Sequence, residues 1–330
     1  AVEWLCKAAE RGNVKVQYTL GDCYYNGNGV NKDYAEAVKW YRKAVEQYRK
    51  AAEQGNADAQ NNLGNCYYNG NGVNKDYAEA VKWYSKAAEQ GNADAQYKLG
   101  DCYYNGNGVS KDSAEAVKWW LKAAEQGNEK AQYKLGECYY HGNGIDKDYV
   151  KAVKWYRQAA EQGNDEAQCQ LGECYYYGNG IDKDYIEAVK WWLKAVEQGN
   201  ADAQSNLGVC YYDGNGVNKD YAEAVKWYRK AAEQGNAYAQ LELGNCYYNG
   251  DGVSKDEAEA VKWYRKAAEQ GNACAQINLG FCYYNGRGVK EDEAEAIKWY
   301  REAAKNKDAV EQLRKLAEQG NACAQYQLGD

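Results

Sequence analysis

One stretch of 36 residues decides the fold. Residues 57–92 read ADAQNNLGNCYYNGNGVNKDYAEAVKWYSKAAEQGN. Within Ala57–Asn69, apolar residues such as Leu63 and Cys66 recur at a spacing that places them on one face of a helix. The glycines that start at Gly70 then end this helix, because glycine accepts the positive φ of a helix terminus. The stretch therefore begins with an amphipathic helix followed by a tight turn.

The second half of the stretch predicts a second helix. Asp76 is a suitable N-cap, and Glu79 stands three residues later, as in a capping box. The packing surface of this helix is supplied by Ala80, Val81, Trp83, Tyr84, Ala87 and Ala88. Gly64 lies inside the first helix, where it costs about 1 kcal/mol relative to alanine. Its presence predicts that the two helices cross closely at this residue.

The stretch is a repeat unit. The pair Leu63-Gly64 returns at Leu99-Gly100 and then every 36 residues up to Leu279-Gly280. Because one helical hairpin cannot bury both of its faces, the units are expected to stack into a single array with a concave and a convex side. The predicted units are 14–56, 57–92, 93–128, 129–164, 165–200, 201–236, 237–272 and 273–321, between partial units 1–13 and 322–330.

Two units depart from the regular period. Tyr48–Gln54 is a near copy of the seven residues before it, which predicts a long second helix over Tyr34–Gln54. The last full unit carries an insertion in which Leu313-Arg314 takes the place of Leu-Gly. Either a kink near Asn306 or one long, rotated helix is expected there. Both irregular segments are candidate docking sites or simply tolerated insertions.

The repeat resembles a known family. Its pattern A-x-A-Q-x-x-L-G-x-C-Y-Y-x-G-x-G-V-x-K-D, followed by A-V-K-W-Y-x-K-A-A-E-Q-G-N, is similar to the Sel-one-like repeat of the tetratricopeptide type. The resemblance implies an all-α, right-handed superhelical solenoid of antiparallel helix pairs. It also implies a non-enzymatic scaffold or adaptor that binds a peptide or protein along its concave groove. A cysteine-rich branch of the family uses disulfides within each repeat, and this chain lacks that cysteine pairing.

The variable positions of the first helices are candidate binding residues. The resemblance implies that the positions of Asp58, Asn61, Asn65, Tyr68 and Asn69 line the groove, and a helical wheel places them opposite the core. A zone of acidic and aromatic residues comprises Tyr97, Asp101, Tyr133, Glu137 and Glu173. An apolar zone, expected to be exposed, comprises Val209, Leu241, Ile277 and Phe281. These zones predict a ligand with a basic or polar stretch and an apolar stretch.

A constant tyrosine stripe is the third candidate surface. It includes Tyr104, Tyr140 and Tyr176. Rigid tyrosines suit ligand contacts, but an unchanging residue is also typical of packing between adjacent helices. The apolar zone has a similar alternative, since its residues could have drifted or could pack against a chain end. Cys169 falls on a groove position and is a candidate accessible thiol.

Other functions find less support in the sequence. A structural spacer between terminal domains remains an alternative, whereas a cell-wall-type hydrolase would need a base beside a nucleophile, and His141 is the only histidine. Two repeats carry Trp-Trp-Leu in place of the usual Trp-Tyr-Arg, at Trp119–Leu121 and Trp191–Leu193. This change indicates either an apolar contact strip on the second helices or a local change in packing.

The composition restricts the classes of partner and site that the chain is expected to have. The net charge of −7 disfavours nucleic acid, and no apolar run approaches a membrane span. Eight of the twelve cysteines share one repeat position, which is typical of a small buried hydrophobe. No CxxC pair or Cys/His cluster occurs, so neither a metal site nor a cofactor is predicted. Unpaired cysteines favour a reducing, cytoplasmic compartment, with a secreted or lumenal one as the alternative. The sequence leaves the oligomeric state and the partner open.

Overall fold

The structure is a computed structural model that describes residues 2–328, with all their side chains except those of Val2, Asp308, Tyr326 and Gln327. Within these residues the regular secondary structure is helical throughout, and the chain divides into two compact units, Ala1–Asn164 and Asp165–Asp330. The predicted partial units 1–13 and 322–330 lie partly outside the described residues. The helices of the first unit are α1 (Val2–Glu10), α2 (Val14–Asn26), α3 (Tyr34–Glu53), α4 (Ala57–Asn69), α5 (Tyr77–Glu89), α6 (Ala93–Asn105), α7 (Ser113–Glu125), α8 (Glu129–His141) and α9 (Tyr149–Glu161).

The second unit continues the same alternation of first and second helices. Its helices are α10 (Asp165–Tyr177), α11 (Tyr185–Glu197), α12 (Ala201–Asp213), α13 (Tyr221–Glu233), α14 (Ala237–Asn249), α15 (Glu257–Glu269), α16 (Ala273–Asn285), α17 (Glu293–Ala303), α18 (Lys307–Glu318) and α19 (Ala322–Leu328). Within each unit, every helix packs against the next one along the chain. The all-α repeat fold predicted from the sequence is confirmed.

Side-chain caps and glycines set the helix boundaries. The Asp76 carboxylate accepts a hydrogen bond of 2.9 Å from the Glu79 backbone N–H, which confirms the predicted cap of α5. At the start of α4, the Asn56 side chain accepts from the Ala59 N–H at 2.8 Å. Gly70 ends α4 with a φ of 81°, a value that a residue with a side chain adopts only under strain.

The core lies between the first and second helix of each repeat, and glycine makes this packing possible. A Cβ atom placed on Gly64 would lie 2.6 Å from ring carbons of Tyr84, so any larger residue would push the ring away. The close crossing predicted at Gly64 is therefore confirmed. Leu63 and Cys66 are completely buried beside it. Cys66 occupies the repeat position that is always cysteine. As predicted, this cysteine is buried in every repeat from Cys66 to Cys282, and it is half-buried at Cys23.

Glutamine and asparagine side chains join successive repeats. The Gln96 amide donates to the Ala88 carbonyl at 3.0 Å, so α6 is tied to the end of α5. Asn92 donates to the Asp58 carboxylate at 2.9 Å while its own side-chain oxygen caps α6. Because Gln96 is buried, an amide without a hydrogen-bond partner there would lower the stability of the fold. The polar part of the repeat consensus therefore holds neighbouring repeats in register.

Both irregular repeats keep their core positions. α3 spans Tyr34–Glu53, which confirms the predicted long second helix to within one residue. In the last repeat, α17 ends at Ala303 and α18 begins at Lys307, so the kinked alternative is right and the single long helix is wrong. Leu313 is fully buried, whereas Arg314 is exposed and pairs with Glu311. The inserted helix α18 thus keeps the leucine contact without the glycine crossing.

Candidate partner-binding surface

In each unit, the first helices of the regular repeats carry the variable positions. We call this surface the first-helix face; it is formed by the positions equivalent to Asp58, Asn61, Asn65, Tyr68 and Asn69. Asn65, Tyr68 and Asn69 line one cavity of about 140 Å³ together with Lys98 and Asp101 of the next first helix. Asp58 is exposed, but Asn61 is buried. The helical-wheel prediction is thus right for Asp58, Asn65 and Asn69. Asn61 lies at the edge of the core, and the half-buried Tyr68 packs against a core cluster.

The constant tyrosines connect repeats along this face. Asn107 in the glycine turn donates to the Tyr68 hydroxyl at 2.9 Å, and Asn215 makes the same bond to Tyr176. The ring of Tyr104 packs against Trp120, and the ring of Tyr140 packs against Tyr149, both at about 5 Å between centroids. Hydrogen bonds between neighbouring repeats and ring packing within a repeat therefore account for the constancy of this tyrosine.

The two tryptophan pairs are mainly a change in packing. Trp120 and Trp192 are buried in the place that tyrosine takes in other repeats, and the Trp120 indole donates to the Tyr97 carbonyl at 3.1 Å and to Asp101 at 3.2 Å. Only Leu193 of the two motifs is a strongly exposed apolar residue.

The acidic zone is partly neutralised in the first unit. Lys134 forms an ion pair of 2.7 Å with Glu137, and Lys98 lines the same cavity as Asp101. Burial raises the pKa of Asp101 above its usual range and lowers that of Lys98. The pKa of Lys134 is raised, because the ion pair with Glu137 outweighs the effect of burial. Tyr97 and Tyr133 stand half-buried beside these pairs. In the first unit, the acids thus already have cationic neighbours.

The second unit lacks these cations. Its four regular first helices, α10, α12, α14 and α16, contain no lysine or arginine, whereas α10, α12 and α14 carry acidic residues. Among these acids, burial raises the pKa of Glu173 and of Glu242. Asn206 donates to Glu173 at 3.4 Å, and Asn245 donates to Glu242 at 3.2 Å. The first-helix face of this unit is therefore negative and hydrogen-bonded through amides.

Three sequence expectations for this face are wrong. Leu241 is buried against Ala260, Val261 and Tyr264, and Ile277 is buried in a core cluster with Leu313 of α18. Both residues were expected to be exposed. Cys169 is buried too, and desolvation raises the pKa of its thiol, so it is not an accessible thiolate. The physical reason is shared: the Asn61-equivalent position lies at the edge of the core, where a side chain of moderate size turns inward.

An apolar pocket forms around the end of this zone. It has a volume of about 280 Å³ and is lined by Asn245, Tyr248, Asn249, Tyr264, Ile277, Asn278, Phe281, Cys282 and Leu316. Ile277 contributes to its lining although most of the side chain is buried. Leu316 comes from the inserted helix α18. The pocket thus combines two departures from the repeat, Phe281 and the insertion, in one place.

A second cavity of about 270 Å³ is lined by residues of α10, α11, α12 and α14. It is lined by Tyr176, Tyr177, Trp192, Asn206, Val209 and Tyr238. The structure therefore separates the predicted apolar zone: Val209 belongs to this aromatic cavity, Ile277 and Phe281 belong to the apolar pocket, and Leu241 belongs to the core.

Comparison with known families matches this architecture. The family model described as Sel1 repeat matches ten segments, residues 1–13, 14–47, 48–56, 57–92, 93–128, 129–164, 165–200, 201–236, 237–272 and 275–308. The chain belongs to the Sel1 repeat family. The Sel1 fold is an all-helical repeat scaffold that commonly serves protein interaction and is generally non-enzymatic. The comparison with curated proteins found no match.

Two solved Sel1-type structures resemble most of the chain. A Sel1 repeat protein from Oxalobacter formigenes is 35% identical, with a TM-score of 0.67, over 96% of this chain and 90% of that protein. A protective antigen of uropathogenic Escherichia coli, described as having an SLR fold, is 38% identical, with a TM-score of 0.61, over 97% of this chain and 75% of the antigen.

Sequence reasoning missed several residues of the two cavities, among them Tyr177, Tyr238, Leu316, Asn206 and Asn278. Tyr177 and Tyr238 occupy the positions equivalent to Asn69 and Asp58, and Leu316 lies in the insertion of the last Sel1 repeat. A comparison of the repeats at these two positions could have identified both tyrosines. Tyr238 is the only aromatic residue at its position, and Tyr177 shares its position only with His141 among aromatic residues.

Among residues 2–328, no group of three or more His, Cys, Asp and Glu is arranged to hold a metal ion. Over the same residues, no helix combines the length and the apolarity that crossing a membrane requires.

Proposed function

We propose that this Sel1-repeat chain is an adaptor that binds a segment of a protein partner on the first-helix face of the Asp165–Asp330 unit. The observation that carries the proposal is the apolar pocket around Phe281. Ile277, Phe281 and Leu316 give it an apolar lining. The side chain of Asn245, which also lines it, is held within the chain, because it accepts from Tyr264 and donates to Glu242. The expected occupant is a large apolar side chain of the partner, because such anchors in pockets contribute most of the binding energy at interfaces.

The repeats themselves support this proposal. The Phe281 position holds Asp22, Asn65, Asp101, Glu137, Glu173, Val209 and Asn245 in the other repeats. A phenylalanine is therefore not required by the fold at this position. Phe281 remains partly exposed, although a polar residue would be better solvated there. A binding role explains why this repeat differs from the others.

The same proposal assigns no catalytic role. A thiol nucleophile would need a lowered pKa, whereas burial raises the pKa of Cys66 and of Cys102 to about 12. His141 ends α8 as an exposed ring that packs edge-on against Tyr140. Neither arrangement supplies the activated nucleophile that a hydrolase of cell-wall material would use.

The test compares Phe281→Asn with the unchanged protein. Partners captured from the native extract are identified by quantitative mass spectrometry, and the strongest is purified and titrated by calorimetry. We expect Phe281→Asn to weaken its affinity by at least about tenfold, because the pocket loses the aromatic ring against which the partner's apolar side chain would pack. Asn is the residue of Asn65 and Asn245 at this position, so the variant should retain its helicity by circular dichroism.

The control for this test is Asn65→Asp in the first unit. It changes the equivalent position to the residue found at Asp101, and we expect no loss of affinity. Equal affinities of the unchanged protein and Phe281→Asn would contradict the adaptor proposal. That result would favour the alternative, in which the array is a spacer between other domains.

A further inference from the structure

The aromatic cavity of the second unit has a composition that the fold does not require. Three of its residues are unique at their repeat positions: Tyr177, Val209 and Tyr238. Trp192 has a counterpart only in Trp120. These residues come from α10, α11, α12 and α14, so they are separated in the sequence and meet only in the folded unit. Because other repeats fold with polar residues at the same positions, packing alone does not explain the convergence.

The two unique tyrosines leave much of their rings open. Tyr177 is 65% exposed and Tyr238 is 47% exposed, the latter at a position that holds Asp in three other repeats. Tyr177 packs edge-on against Tyr176, with 5.0 Å between the ring centroids. Exposed aromatic rings around a cavity are unusual on a soluble surface and mark contact sites. Their faces carry negative electrostatic potential, which favours a cation.

Carboxylates flank this cavity. Asn206 lines it and donates to Glu173, and Tyr238 lines it and hydrogen-bonds to Glu242. Asp213 adds a further negative charge near Tyr238 and Glu242. A cation that entered the cavity would be attracted by these carboxylates across short distances, in surroundings less polar than water.

One lysine of the unit lies beside the cavity. The Lys183 ammonium is 5.9 Å from the centroid of Tyr176 but 4.5 Å from that of Tyr185, which is outside the cavity. Lys219 takes the same position over Tyr212 and Tyr221 in the next repeat. This lysine is therefore a general feature of the repeat. The rings of Tyr177 and Tyr238 are what distinguishes this cavity from the equivalent place in other repeats.

We propose that the cavity formed by Tyr176, Tyr177, Trp192 and Tyr238 binds the cationic head of an arginine or lysine side chain of the partner. The inference rests on the proposed function and adds a second anchor of different chemistry to the apolar one at Phe281. Arginine is the better ligand, because its planar and weakly hydrated guanidinium stacks on aromatic rings. The carboxylates of Glu173 and Glu242 supply the complementary charge.

Small probes test the cavity without the partner. N-acetyl-arginine methylamide, its lysine analogue, its neutral citrulline analogue and tetramethylammonium are titrated by saturation-transfer NMR. The expected order is arginine, then lysine, with citrulline at least about tenfold weaker because it lacks the charge. Citrulline binding equal to arginine would overturn the proposal. Binding of tetramethylammonium without that of arginine or lysine would also overturn it, since the site would then select quaternary ammonium groups.

Substitutions to residues of other repeats locate the binding. We expect Tyr177→Asn and Tyr238→Asp each to weaken the arginine probe about three- to tenfold, by loss of one ring face. Tyr238→Asp adds a negative charge, which by itself would favour a cation. Weaker binding by this variant would therefore result from the loss of the ring. Tyr177→Phe and Tyr238→Phe keep the ring faces and should bind like the unchanged protein.

The matched control is Tyr34→Ser, an exposed tyrosine of the first unit changed to the residue at Ser113. It should leave probe binding unchanged, and all variants should keep their helicity. Unchanged binding by folded Tyr177→Asn and Tyr238→Asp would overturn the assignment. The partner titration separates the two proposals: affinity that depends on Phe281 but not on Tyr177 or Tyr238 would leave the adaptor proposal standing and reject the cation site.

Discussion

The first-helix faces of the Ala1–Asn164 and Asp165–Asp330 units differ in charge, although both units are built on the same core. In the first unit, Lys134 pairs with Glu137 and Lys98 lies beside Asp101. In the second, α10, α12, α14 and α16 carry no basic residue, and two cavities collect aromatic and apolar side chains. Repeats with one core can therefore diverge in the charge and shape of the first-helix face, because the core positions and the face positions are different residues.

The largest expected effect tests the shared core. Leu135 and Leu207 occupy the same repeat position in the two units, and both are completely buried. We expect Leu135→Ala and Leu207→Ala each to lower the free energy of unfolding by about 2–5 kcal/mol, because each leaves a cavity. Urea unfolding followed by circular dichroism measures both. A loss below about 0.5 kcal/mol at either site, or clearly unequal losses, would contradict the equivalence of the two cores.

A smaller effect should separate stability from binding. Asn107→Ala and Asn215→Ala remove equivalent hydrogen bonds to Tyr68 and Tyr176, at an expected cost of about 0.5–1.5 kcal/mol each. Only Tyr176 lines the aromatic cavity. Thermal unfolding should thus show similar losses, while saturation-transfer NMR should show weaker arginine-probe binding for Asn215→Ala alone. Equal probe binding by both variants would mean that this hydrogen bond does not position the cavity.

The smallest effect concerns the unpaired charge of the second unit. Burial raises the pKa of Glu242 above its ordinary value of 4.5. The stability linked to this group is therefore complete below about pH 4 and is lost as the pH rises through the folded-state pKa. We expect Glu242→Gln to raise the free energy of unfolding by about 0.5 kcal/mol at pH 7 and to have no effect near pH 4.

The comparison variant for this prediction is Glu137→Gln. It removes the ion pair with Lys134 in the first unit, so the sign should reverse, with a loss of about 0.2–0.5 kcal/mol at pH 7. Urea unfolding at both pH values measures the two variants. A stabilising effect of Glu137→Gln equal to that of Glu242→Gln would show that the two faces do not differ in charge pairing.

The helices and their core could be read from the sequence. Capping residues such as Asp76, glycines at the turns and the 3.6-residue spacing of Leu63 and Cys66 act within a few residues of the chain, so their pattern predicts local structure directly. The extended helix α3 followed from the same rule, since seven added residues keep the apolar face in nearly the same direction. The repeat then shows that each helix pair needs a neighbour to bury its remaining face.

The tertiary structure alone decided which variable residues meet. Leu241 and Ile277 turn inward because neighbouring helices provide apolar surface that the helical wheel of one helix does not include. Tyr177 and Tyr238 come together across three first helices, at a separation that no local pattern specifies. Burial and side-chain contact depend on the distances between helices, whereas helix formation depends on neighbours along the chain. For this reason the sequence determined the repeat and its core, and the packing of the repeats determined the cavities.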